Sequence, residues 1–190
     1  MRPLGKLRDL SPRDLSRCLR LPETQGQLLS GAPASAALLA ELVDRELLPE
    51  AARLLGYALP EREAVWWACR CVAHAVPLAA LPDEQGAALA AAEHWVRRPD
   101  GEARLHAHLA AAKAGYRTPA AWVAQAAFAS PLPVAWPLRT GRKVERAIAL
   151  AAAYGGPAGE PERLRRFIAS GRDIATGGAG RLPPADRGVP

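Results

Sequence analysis

The stretch Leu59–Pro77 constrains this chain more than any other, because it is apolar around most of a helical circumference. It opens with Pro60, suited to the first turn of a helix, and closes at Pro77, which a helix does not easily continue into. At about 100° per residue, Ala64, Ala68, Cys71 and Ala75 share one stripe, and Val65, Cys69, Val72 and Val76 share the next. Glu63, Trp67, Arg70 and His74 line a third. A helix of this kind needs neighbours on several sides, so the spacing predicts a central helix.

The remaining chain reads as helices joined by short turns. Ser11-Pro12 opens a helix through about Leu19, Ser35 precedes one running to about Glu46, and Pro49 starts another. Asp83, Asp100 or Gly101, Thr118, Thr140 and Pro161 mark further starts, and Gly115 and Gly155 mark ends. In the helix after Asp100, Leu105, Leu109 and Ala112 fall in register. Few stretches combine β-branched and aromatic residues as strands require, and aromatics make up only 5%.

The expected fold is therefore all-α: an irregular multi-helix bundle, or an α-solenoid-like array of antiparallel helix pairs. No fixed-period repeat is present. Residues 10–175 form one expected helical domain, with a flexible segment at 1–9 and a proline-rich strap at 131–139. The glycine- and proline-rich residues 176–190 are expected to form a disordered tail.

Metal and nucleophilic chemistry find little support. Cys69 and Cys71 diverge by about 200° on a helix, as do His106 and His108, and no pair has CxxC or HExxH spacing. The three cysteines, Cys18, Cys69 and Cys71, read as reduced, buried thiols. No GxSxG elbow, phosphate-binding glycine loop or paired carboxylates occur, so no catalytic residue, metal or cofactor is expected. No apolar run approaches the ~20 residues that span a bilayer, and the first ten residues do not read as a signal peptide. A cytoplasmic protein with no membrane association is the expectation.

Two polar features remain as candidate sites. The first is the central helix, where Arg62, Glu63, Trp66, Trp67, Arg70 and His74 form either an internal ion-pair and hydrogen-bond network or a surface that anchors a partner. The second is Arg139, Thr140, Arg142, Lys143 and Arg146, cations at a helix start that suit an anion or form a solvated basic face. The formal net charge is +6, but the excess is arginine in an alanine-rich chain, which a GC-rich genome also produces. Few aromatics interleave with the basic residues, so nucleic acid is an unfavoured partner.

The run Pro60-Glu-Arg-Glu-Ala-Val-Trp-Trp-Ala-Cys-Arg-Cys71 resembles the signature of a poorly characterised bacterial family. Its members carry a proline, a basic residue and then Glu-Ala-Val-Trp-Trp-Ala-Cys, and are often labelled as twin-arginine translocation signal proteins. Ala90-Ala-Ala-Glu-His-Trp-Val96, Thr118-Pro-Ala-Ala-Trp122 and Phe167-Ile-Ala-Ser-Gly-Arg-Asp-Ile-Ala175 are similar to later pieces of that family. The resemblance implies an association with type VI secretion loci. It implies a non-enzymatic adaptor or accessory protein whose partners are spike or effector components. The alternative expectation is a nucleic-acid- or anion-binding helical module using the basic C-terminal third.

Overall fold

A computed structural model describes residues 3–21, 23–30, 33–76, 81–130 and 137–182. Among the described residues there are nine α-helices and no strand. They are α1 (Pro12–Cys18), α2 (Ser35–Asp44), α3 (Leu48–Ala58), α4 (Glu61–Ala75), α5 (Asp83–Arg97), α6 (Gly101–Ala114), α7 (Pro119–Ala129), α8 (Pro137–Ala153) and α9 (Glu160–Ala175). Several starts follow from local chemistry. The side chains of Ser11, Asp100 and Thr118 accept the amides of Asp14, Ala103 and Ala121 at 3.1, 2.8 and 3.3 Å. Gly115 ends α6 with a φ of 73°, a left-handed region that disfavours a side chain.

Helix α4 sits among α5, α7, α8 and α9. Val65, Trp67, Ala68, Cys69, Cys71 and Val72 on it are fully buried. Helix α8 is the second hub, packed on α7, α4 and α3. In a solenoid each unit touches only its sequence neighbours, whereas here α3 reaches α8 and α9 and α4 reaches α8. The architecture is therefore an irregular bundle. A single cluster of buried apolar side chains runs from Leu10 to Ala175.

Small residues set the closest approaches. A β-carbon on Gly171 of α9 would lie 2.8 Å from Leu55 Cδ1 and 3.1 Å from Trp67 Nε1. A β-carbon on Gly141 of α8 would collide with the Tyr57 ring of α3. Both glycines let a helix backbone pass against a large side chain without opening a void.

The described residues bear on four sequence expectations. First, residues 3–9 make backbone contacts with the bundle. Lys6 N donates to Ala175 O at 3.0 Å and Arg8 N to Ala58 O at 2.9 Å, while Asp9 accepts the Ser35 amide at 2.8 Å. Second, residues 176–182, the first part of the expected tail, are described and make contacts. Gly180 N donates to Asp173 Oδ2 and Ser170 Oγ to Gly180 O, each at 2.8 Å. Residues 183–190 lie outside the described residues. Third, Pro137, Leu138 and Arg139, expected in the strap, already belong to α8, and residues 131–136 lie outside the described residues. Fourth, α6 buries Ala103, Ala107, Ala110 and Ala111, and Leu105 and Leu109 face outward, each 53% exposed. Alanine on the inner face lets α6 lie close to α5 and α7, and the leucines are left outside.

Candidate functional site

The polar residues of α4 reach several neighbours. Trp67 is fully buried and donates its indole N–H to Phe167 O on α9 at 2.8 Å. Trp66, partly buried against the core, donates its indole N–H to Ala179 O at 3.0 Å. Arg70 lays its guanidinium 5.6 Å from the Trp66 ring centroid. Its Nε is buried without a hydrogen-bond partner. Glu63 pairs with Lys6 at 3.2 Å, Arg62 Nε donates to Val96 O at 2.6 Å, and His74 meets Phe167 edge-on. These contacts fasten α4 to the N-terminal segment, α5, α9 and the Gly177–Gly180 turn. The residues expected to form either an internal network or an anchor surface are thus engaged mostly within the bundle.

The basic candidate group divides. Thr140 is not a cap; it is buried and donates to Ser130 Oγ at 3.4 Å, linking α8 to the end of α7. Lys143 turns to the Trp122 ring, its Nζ 4.8 Å from the centroid. Burial, then Arg142 and Arg139, holds its pKa below the ordinary lysine value. Arg146 is exposed on α8. Only Arg139 and Arg142 enter a cleft, and there they meet Arg17 and Arg20 of the α1 end.

This cleft, about 520 Å³, has Cys18, Tyr57 and Leu138 in its lining together with one carboxylate, Glu145. That carboxylate is already engaged. Arg53 Nε donates to Glu145 Oε1 at 2.9 Å, and the Tyr57 hydroxyl donates to Oε2 at 3.0 Å. Arg53 also binds Glu50 at 2.6 Å, and Glu50 accepts the Arg20 amide at 3.0 Å. Burial alone would lower the Arg53 pKa, but Glu50 and Glu145 raise it above its ordinary value. Burial, then Glu145, pushes the Tyr57 hydroxyl up. Burial, helped by Asp14 and Glu145, pushes the Cys18 thiol up to about 12. Cys18 is therefore a protonated, inert thiol at neutral pH.

A second surface lies where α5 begins against α6. A groove of about 440 Å³ is lined by Ala87, Leu109 and Ala110, with Asp83 and Glu84 on α5 and His106 and Lys113 on α6. Leu105, one turn before Leu109, extends the apolar strip. His108 stacks on Phe128 with ring centroids 4.3 Å apart and meets Gln125 at 2.9 Å. Among the described residues no three His, Cys, Asp or Glu side chains are grouped to hold a metal ion. Burial raises the pKa of Cys69 and Cys71, and both are free thiols. No helix of the described residues is long and apolar enough to cross a membrane.

The model of a family of unknown function, DUF6931, matches residues 38–175. The chain belongs to DUF6931. No curated protein and no solved structure matches it. The DUF6931 span begins within α2 and ends with α9, so it contains α4, the α6 face and the α8 wall of the cleft. It leaves α1, with Arg17 and Arg20, outside. Sequence reasoning missed Arg17, Arg20, Tyr57 and Glu145 as companions of Arg139 and Arg142. Glu145 lies one helical turn after Arg142 and could have been read with it, whereas Arg17, Arg20 and Tyr57 come from distant parts of the chain and carry no local signal.

Proposed function

We propose that this chain is a non-enzymatic interaction protein, an adaptor or accessory factor, that engages another protein through the outer face of α6. The observation that carries this reading is the strip of Leu105 and Leu109, each 53% exposed, continuing into the groove against α5. Half-exposed leucines one turn apart beside a concave surface offer apolar area that a partner helix or strand can cover. Asp83 and Glu84 at one side and His106 and Lys113 at the other supply a polar rim that orients the partner. The alternative anchor, the tryptophans of α4, is already occupied by Phe167 O and Ala179 O.

The family resemblance in the tryptophan run supplies the partner class: a spike or effector component of type VI secretion, met in the cytoplasm of a bacterium. The raised thiol pKa values support a non-catalytic reading, since the cysteines lack the thiolate a nucleophile needs.

The test is co-purification from the native host at physiological salt, comparing the wild type with a Leu105→Ser, Leu109→Ser variant of unchanged circular dichroism. Recovery of a secretion spike or effector protein by the wild type, and its loss in the variant, is the expected result. Equal recovery by both proteins rules out the α6 face. Recovery that nuclease treatment abolishes replaces this reading with nucleic-acid binding.

A further inference from the structure

We infer that the cleft between α1 and α8 is a binding site for a small, multiply charged phosphate. Four arginines, Arg17, Arg20, Arg139 and Arg142, line a space of about 520 Å³, within the range of small-ligand pockets. Among the described lining residues the one carboxylate is Glu145, and both its oxygens are taken by Arg53 and Tyr57. Arg20 approaches it only to 3.9 Å. Arg17, Arg139 and Arg142 have no ion-pair or hydrogen-bond partner among the described residues. Among the described lining residues cations therefore outnumber carboxylates four to one, although Asp14 and Glu145 both act on Cys18 in that lining.

Such an excess is unfavourable without a counter-charge, because like charges repel. An anion relieves that repulsion. The opening turn of α8 adds to the attraction: it contains no acidic residue and places Leu138 and Arg139 on the cleft. Guanidinium groups present paired N–H donors that match phosphate oxygens, and a ligand with two phosphoryl groups can reach both walls. Cys18, Tyr57 and Leu138 give the floor an apolar part, which an organic group esterified to the phosphate can cover. This inference stands independently of the α6 face, which lies on other helices.

The experiment is calorimetric titration of the full chain with inorganic pyrophosphate, a nucleoside diphosphate and citrate in about 0.15 M salt, where surface attraction is largely screened. One saturable site for pyrophosphate is expected. Arg142→Ala should weaken it about tenfold, and Arg17→Ala with Arg142→Ala about a hundredfold, as lost charge-assisted hydrogen bonds do. Arg104→Ala, which removes the same charge on α6, should leave affinity within about twofold. Tighter binding of the nucleoside diphosphate than of pyrophosphate would support use of the apolar floor. All of these arginines except Arg104 are exposed, and unchanged circular dichroism establishes that each variant is folded. No saturable pyrophosphate binding overturns the inference, and so does equal weakening by Arg104→Ala. Citrate binding as tightly as pyrophosphate overturns the phosphate assignment. Binding of a single-stranded oligonucleotide that pyrophosphate cannot displace replaces the small ligand with a nucleic acid.

Discussion

Trp67 on α4 is fully buried, whereas Leu105 and Leu109 on α6 are each 53% exposed. Both helices are rich in alanine and carry large apolar residues at helical spacing. They differ in their neighbours. Helix α4 is enclosed by α5, α7, α8 and α9, so large side chains find partners on several sides. Helix α6 packs chiefly on α5 and α7, and its alanines take the inner positions. An apolar stripe states that some face wants cover; the arrangement of neighbours decides which face receives it. On α4 the cover is internal. On α6 the leucines stay exposed.

That contrast can be broken at its strongest point first. Trp67→Ala removes a buried ring and its hydrogen bond to Phe167 O, and should lower stability by about 3–5 kcal/mol in urea unfolding. A loss below about 1 kcal/mol would mean that α4 is not central to the fold. Next comes Gly171→Ala, which pushes a methyl group against Leu55 and Trp67 and should lower stability by about 1–3 kcal/mol. Retention of the wild-type melting temperature would show that α9 does not press on α4 as described.

Smaller effects sharpen the picture. Trp66→Phe keeps the ring but deletes the donor to Ala179 O, a change of about 1 kcal/mol. It should also speed proteolytic cleavage after Arg181, since the Gly177–Gly180 turn loses one of its ties. Unchanged cleavage would mean that Asp173 and Ser170 hold that turn without Trp66. Smallest of all is Leu105→Ser with Leu109→Ser. It should shift unfolding by no more than about 0.5 kcal/mol, because these side chains contribute little to the core of the isolated chain. A large loss would mean that both leucines are covered within the fold, and the difference between α4 and α6 would disappear.

The residues that the sequence made legible were those with local causes. Ser11, Asp100 and Thr118 cap helices because their partners are three residues away. Thr140 looks the same in sequence but is spent on Ser130, and α8 begins three residues earlier, at Pro137. Arg139 and Arg142 were readable as a candidate anion group, since both lie within a few residues of the helix start expected at Thr140. Their partners Arg17 and Arg20 were not. No periodicity links α1 to α8, and only the packing of the bundle brings their guanidinium groups to one cleft. The docked segment at residues 3–9 was illegible for a related reason. Its bonds run to carbonyls at Ala58 and Ala175, which any helix end could have offered.

What the sequence alone determined is the helical course of the chain and the enclosure of α4. Both depend on residues within a few positions of one another, where rotation per residue and side-chain character suffice. Tertiary structure decided the outward face of α6, the docking of both ends, and the meeting of four arginines around Glu145. Trp66 and Ala179 are 113 positions apart, and a contact of that kind exists only after the helices have chosen their neighbours. The choice is made by the fit of whole surfaces, such as Gly171 against Trp67, which no local pattern encodes.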